Sequence, residues 1–318
     1  MGAGALGSVF GGLLAKIRQD VYLVGREEHI KAIEEHGLTI SGLFGDVCVH
    51  NLCVATSPIE FSDITFDLIL ITVKSYDTSI AASAVKEFAS PDSLIVSLQN
   101  GLGNYETVKE IFGDERTLAG RVIFGAQIME PGNAKVTVYA EPVMIGSLKD
   151  AVSYERAEEI AALFASAGIP SEPTHEIMKY IWAKILYNCA LNPLSAVLQA
   201  PYGDLPTHEC SKAIMRRVIA EIFEVARAEK VKLFWNTPEE YIEILFGQLI
   251  PDTAAHYASM LQDLKAHKRT EIGALNGAIV RLGRIHEIET PMNEMLMSLI
   301  DARESWIRKP QPVTSGTK

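Results

Sequence analysis

The first half of the chain sets short apolar runs among amphipathic stretches; the second half keeps only the amphipathic stretches. Val21 to Val24, Phe66 to Val73 and Leu94 to Leu98 are nearly continuous apolar runs. Runs of that kind suit strands buried on both faces of a parallel sheet. Between them, Ser8 to Lys16 and Ser79 to Ala89 read as helices, and Thr39 to Val54 as short strands joined at glycines. Val122 to Ala126, Ala134 to Tyr139 and Pro142 to Ile145 read as further strands, with turns at Pro131-Gly132 and Glu141-Pro142. Tyr154 to Ala167 has the apolar spacing of a helix packed on one side.

From about residue 174 the pattern changes to long helices: one through Trp182, then about Cys210 to Glu229 and Pro238 to Leu249, the last ended by Pro251. Asp252 is placed to cap the next helix, and a further one runs from Thr270 to about Arg284. At 318 residues the chain has room for about two domains. The pattern assigns residues 1–172 to an α/β dinucleotide-binding domain and 173–308 to an all-α domain. The Pro, Ser, Thr and Gly of residues 309–318 read as a frayed tail.

Residues 2–7 read Gly-Ala-Gly-Ala-Leu-Gly, a G-x-G-x-x-G followed by a helix and a strand. In a βαβ unit the first glycine makes the tight turn, the second admits a pyrophosphate, and the third lets helix pack on strand. Gly2, Gly4, Ala5, Leu6 and Gly7 are therefore candidate cofactor contacts, with phosphates on the helix N-terminus. The sequence begins at the motif with no strand before it: either the true start lies upstream, or the chain folds without that strand, which would leave two neighbouring strands with unpaired backbone groups. After the second strand, where NAD enzymes place an acid for the ribose, stands Arg26. An arginine there can pair with a 2′-phosphate, which favours NADP(H), with Glu27 as the counter-argument. It would serve equally as a solvated loop charge. Lys74 and Asn100 follow two buried strands, at the sheet edge where open α/β folds bind ligands. A surface lysine and an Asn-Gly turn are the plainer alternatives.

In the helical half, Lys184, Asn188 and Asn192 recur every fourth residue, so they line one face of an otherwise apolar helix that Pro193 should stop. Such a file suits a buried site for a small polar molecule, or else a solvated stripe on a packed helix. Ser259 and Glu271 lie twelve residues apart. To face one site they require a helix break between them, with Thr270 as N-cap and Glu271 either in the site or serving the helix dipole.

Composition narrows the options. The net charge of −11 speaks against nucleic acid or an anionic membrane as partner. No apolar run reaches the length of a spanning helix. Cys48, Cys53, Cys189 and Cys210 form no C-x-x-C pair, and His256, His267 and His286 have no metal spacing, so no metal is expected. Free thiols fit a reducing cytoplasm.

These residues resemble a known family. The glycine motif, Val73-Lys74, Gln99-Asn100-Gly101-Leu102-Gly103, Lys184-x-x-x-Asn188-x-x-x-Asn192-Pro193-Leu194, Ser259 to Asp263 and Arg269 to Ile272 occur in this order in ketopantoate reductases (2-dehydropantoate 2-reductases). The resemblance spans residue 2 to about residue 300; its helical motifs are the specific part. It implies a Rossmann-type NADP-binding domain followed by an all-helical domain of the 6-phosphogluconate-dehydrogenase-like kind, with the active site in the cleft between them. It implies NADPH-dependent reduction of ketopantoate, a 2-oxo acid, to pantoate for coenzyme A synthesis. Lys184 then matches the general acid and Glu271 the acid that positions groups around the same oxygen and lies against the cofactor. Asn188, Asn192 and Ser259 match substrate contacts, Asn100 a contact to cofactor or substrate, and Arg26 and Lys74 cofactor contacts. A homodimer is compatible with this plan. The rival readings are a related NAD(P)-dependent dehydrogenase of another 2-oxo or 3-hydroxy acid, and a non-catalytic nucleotide-binding regulator.

Overall fold

The computed structural model describes residues 1–148 and 151–308, so the expected tail lies outside the described residues. The chain divides into two compact units, Met1–Ile181 and Trp182–Lys318.

The first unit is α/β. Its elements in order are α1 (Ala5–Lys16), β1 (Val21–Val24), α2 (Glu27–His36), β2 (Leu38–Gly42), β3 (Val47–Val49), β4 (Leu52–Ala55) and β5 (Phe66–Ile71). There follow α3 (Thr78–Ala84), β6 (Ala89–Ser97), α4 (Asn104–Phe112), β7 (Thr117–Glu130), β8 (Asn133–Gly146), α5 (Tyr154–Ser166) and β9 (Ser171–Pro173). The larger sheet has the order β3-β2-β8-β7-β6-β5, with β9 beside β8. The β5–β6, β6–β7, β2–β8 and β8–β9 pairs are parallel; β7–β8 and β2–β3 are antiparallel. β1 and β4 form a separate parallel pair. Residues 1–3 link the two pieces. Gly2 and Ala3 donate to the Val24 carbonyl at 3.0 and 2.8 Å, while the Met1 amino group donates to Leu70 O at 2.7 Å and Thr72 N to Met1 O at 2.9 Å. The ends of the two flanking strands are thus partly satisfied.

The end of β6 shows why the stretch from Leu94 to Leu98 is almost wholly apolar. Leu94, Val96 and Leu98 pack in the core with Val9, Phe10 and Leu13 of α1 and Phe164 of α5. Ile95 points into a second cluster with Ala82 of α3 and Val108 and Phe112 of α4. Both faces are covered, which alternation alone would not have indicated. Helix α1 sits close to the strands through its glycines: a Cβ on Gly12 would lie 2.4 Å from Ile40 Cδ1.

Three local expectations change. The strands expected on either side of Glu141-Pro142 are one strand, β8. The register passes from Arg121↔Met144 to Ile123↔Glu141, so Pro142 lies in a bulge, where its missing N–H costs no ladder bond. The helix after Ser79 ends at Ala84; a 3-10 turn, Lys86–Phe88, leads into β6 at Ala89. β9 and the first turn of the following helix belong to the first unit, so the division falls at residue 181 rather than 172.

The second unit is helical: α6 (Ile177–Leu198, crossing the division), α7 (Glu209–Ala228), α8 (Pro238–Ile244), α9 (Ile250–Asp252), α10 (Ser259–Lys265), α11 (Asn276–Ile285) and α12 (Pro291–Arg308). A π turn, Leu245–Leu249, joins α8 to α9, so the chain stays helical through Pro251, and Asp252 ends α9 instead of capping α10. Pro193 likewise lies inside α6, which runs on to Leu198.

Candidate active site

In the first unit, each glycine of the N-terminal motif has a distinct physical task. Gly2 has φ +103°, and a Cβ there would meet Val73 N at 2.6 Å. Gly4 precedes α1 and has nothing within 4 Å of an added Cβ, leaving its outer side open. At Gly7 a Cβ would sit 2.3 Å from the Gly2 carbonyl oxygen and 2.7 Å from Thr72 Oγ1. The Thr72 hydroxyl bonds the Gly2 carbonyl at 2.8 Å, locking the turn to the end of β5, next to Val73-Lys74. Ala5 and Leu6 open α1, where the first amides have no intrahelical acceptor.

Arg26 ends the loop after β1, immediately before α2, and is exposed. Its guanidinium makes no ion pair or hydrogen bond with another described residue. Glu27 is turned to Lys31, 2.6 Å away, and that pairing holds its carboxyl below the usual range.

The loops that carry Lys74 and Asn100 are tied together. Gln99 Nε2 donates to Val73 O at 2.9 Å and to Thr78 Oγ1 at 2.7 Å. Asn104 Nδ2 donates to Asn100 O at 2.8 Å, and its Oδ1 accepts from the Thr78 hydroxyl at 2.8 Å. A pocket lined by Gln99, Gly101, Tyr105, Gly120, Met178 and Ile181 opens beside this network. Gly101 and Gly103, at φ +96° and +91°, turn the backbone there in a way other residues resist. Burial pushes the Tyr105 phenol up to about 12, so it stays protonated; its OH lies 3.2 Å from Asp114 Oδ1.

In the second unit, Lys184, Asn188 and Asn192 share one face of α6, with Lys184 half-buried and Asn188 and Asn192 9% and 5% exposed. Asn188 makes no hydrogen bond with another described residue. Asn192 Oδ1 accepts from the buried Tyr202 OH at 2.5 Å, which fixes the amide so that Nδ2 is the end left for another partner. Ser259 is the exposed first residue of α10. The preceding Ala258 N–H reaches Ser195 Oγ on α6 at 3.4 Å. Glu271 is 9% exposed and is itself the N-cap residue of a 3-10 turn, Ile272–Ala274; α11 starts only at Asn276, so Thr270 caps neither that turn nor the helix. Its hydroxyl accepts from Ile272 N at 3.3 Å, and Glu304 Oε1 accepts from Thr270 N and Oγ1 at 2.7 and 2.6 Å. The helix break required between Ser259 and Glu271 is present, since α10 ends at Lys265.

Sequence reading missed the supporting residues. Tyr202, Asn276 and Glu304 hold the candidate groups or their neighbours, yet none stands in a motif. Asn276 had one signal: an asparagine at the centre of the apolar run from Ile272 to Val280, where it is a poor helix former. Among the described residues no cluster of His, Cys, Asp and Glu could hold a metal, and no helix is long and apolar enough to cross a membrane.

Comparison with known proteins gives consistent results. The family profile described as "Ketopantoate reductase PanE/ApbA" matches residues 1–150, and "Ketopantoate reductase PanE/ApbA C terminal" matches residues 176–304. The 2-dehydropantoate 2-reductase of Aquifex aeolicus is 37% identical over 305 residues, 96% of each chain. That of Pyrococcus horikoshii is 36% identical over 306 residues, again 96% of each. Among solved structures, a PanE/ApbA family ketopantoate reductase from Ralstonia eutropha JMP134 superposes with a TM-score of 0.85 at 35% identity, covering 97% of this chain and 98% of that one. A D-mandelate dehydrogenase with NADH and anilino(oxo)acetate gives 0.87 at 27% identity, covering 96% and 97%. With both halves matched and relatives aligned over nearly their whole length, the chain belongs to the ketopantoate reductase family.

Proposed function

We propose that the protein reduces the 2-oxo group of ketopantoate to the hydroxyl of pantoate, with NADPH as reductant, in the supply of pantothenate and coenzyme A. The observation that carries this reading is the α6 file: a half-buried lysine beside two buried carboxamides, one with no hydrogen-bond partner among the described residues, in a chain of this family. A reduced nicotinamide, when bound, supplies the hydride. Gly2, Gly4, Ala5, Leu6 and Gly7 suit its pyrophosphate, Lys74 and Asn100 the sheet edge beyond it, and the exposed Arg26 a 2′-phosphate.

As hydride reaches the carbonyl carbon, negative charge develops on the ketone oxygen. The Lys184 ammonium stabilises that charge and gives its proton to the oxygen, so ketone, hydride and proton become the alcohol. Partial burial strengthens the interaction by keeping water away. Glu271 takes the role of holding the groups around that oxygen. Asn188, Asn192 and Ser259 offer neutral donors for the neighbouring carboxylate, which add no competing positive charge. The four free cysteines suit a reducing cytoplasmic setting, and a homodimer remains part of the reading.

The test is loss of reduced-nicotinamide absorbance with NADPH and ketopantoate. Lys184→Ala should lower turnover about a hundredfold or more, the range for losing a general acid. Turnover within about threefold of the unsubstituted protein takes Lys184 out of that role. The likeness to a D-mandelate dehydrogenase favours one second reading, a reductase of a different 2-oxo acid. A higher kcat/KM for an aryl 2-oxo acid than for ketopantoate would select it.

A further inference from the structure

In an α-helix the N–H of residue i bonds the carbonyl of residue i−4. Residue 193 is proline, so the carbonyl of Cys189 has no N–H to receive from within α6. Cys189 is fully buried, which shuts out water as a substitute. The vacancy is filled from elsewhere in the chain: Asn276 Nδ2 donates to Cys189 O at 3.1 Å. Cys189 directly follows Asn188, and Asn276 begins α11 five residues after Glu271. The intervening turn is tight, with Ala274 N and Leu275 N donating to the Glu271 carbonyl at 3.0 and 3.2 Å. Asn276 is itself held. Its second Nδ2 proton goes to Asn293 Oδ1 at 3.0 Å, and Asn293 Nδ2 donates to Glu221 Oε2 at 2.7 Å. Glu221 also accepts from Met292 N and Asn293 N at 2.8 and 3.0 Å, the first turn of α12.

We propose that Asn276 is a positioning residue for the reduction. It uses the carbonyl that Pro193 frees to fix the Glu271 segment in register with the helix that carries Lys184 and Asn188. The proposal rests on the functional reading above. Its competitor is simpler: Asn276 satisfies a buried carbonyl and does nothing more. Pro193→Ala separates the two, because it returns an N–H for Cys189 O without re-tying the Glu271 segment.

The experiment measures kcat, KM for ketopantoate and NADPH, and Tm for the wild type, Asn276→Ala and the Asn276→Ala/Pro193→Ala pair. The wild type comes first: no NADPH oxidation with any 2-oxo acid brings down the functional reading itself, and this proposal with it. With an active wild type, Asn276→Ala should lower kcat about ten- to a hundredfold, with KM changed less than about threefold, because misplacement affects the reacting geometry more than binding. It should also lower Tm. The double variant should regain most of the lost Tm while kcat stays low. Recovery of kcat together with Tm, or a single-variant kcat within about threefold of wild type, overturns the positioning role. If Asn276→Ala does not fold, Asn276→Ser replaces it in both proteins, and the same outcomes decide.

Discussion

Removing the Arg26 side chain tests the cofactor preference more directly than any other substitution. Arg26 is exposed at the loop before α2, so Arg26→Ala removes no hydrogen bond or ion pair among the described residues and leaves the α2 backbone intact. What it removes is a charge available to a 2′-phosphate, which NADPH has and NADH lacks. A hydrogen bond between charged groups is worth about 1.5–3 kcal/mol. At an exposed position solvent screening reduces this to about 1–2 kcal/mol. At about 1.4 kcal/mol per factor of ten, kcat/KM for NADPH should fall roughly five- to thirtyfold. The value for NADH should change less than about twofold, because nothing is removed from its contacts. The neighbouring Glu27 does not cancel the effect, since its carboxylate is engaged by Lys31 at 2.6 Å. The assay is steady-state oxidation of each cofactor at saturating ketopantoate, at low salt and again at high salt. The NADPH penalty should shrink at high salt as the charge is screened. Equal falls for NADPH and NADH would refute the argument: Arg26 would then matter to the fold of the loop and not to the phosphate.

Two further predictions concern the first unit. Gly7→Ala should cost about 1–3 kcal/mol of stability, because its methyl would meet backbone at Gly2 O, 2.3 Å away; Gly4→Ala should leave Tm unchanged while weakening NADPH binding. Thermal melts and NADPH fluorescence titrations check both, and a Gly7→Ala protein with wild-type Tm counts against the packing argument. His29 is buried and bridges three segments: its Nδ1 accepts from Gly132 N at 3.0 Å, and its Nε2 lies 2.9 Å from Ser8 Oγ. That geometry needs the neutral ring, and burial lowers its pKa below the ordinary 6.5. Its contribution to stability is therefore whole above about pH 6.5 and is lost as pH falls toward the lowered folded value, because only the unfolded chain gains the proton. Between pH 7.5 and 5, Tm of wild type should fall more steeply than Tm of His29→Gln; parallel curves would remove His29 as a cause.

The elements that could be read in advance share one property: their physical cause is local. The glycine turn needs only backbone freedom and close packing. The runs at β1 and β5 need only burial on two faces, and the Lys184–Asn188–Asn192 file needs only the helical repeat. The proline expectations failed because a proline's effect on a helix depends on who receives the carbonyl it frees. At Pro193 the answer lies at Asn276, 87 residues from Cys189; at Pro251 it lies in a π turn that shifts the bonding pattern before the proline arrives. At Pro142 a bulge in β8 accepts the residue that a regular ladder would reject. The same reasoning explains why the candidate groups were legible and their supports were not. Lys184 announces itself by charge in apolar surroundings. Tyr202, Asn276 and Glu304 are polar residues whose meaning is set by single bonds to Asn192, Cys189 and Thr270, each from a different part of the chain. A helix with an internal proline is best read as a helix with a carbonyl to offer, and the first question is which buried donor takes it.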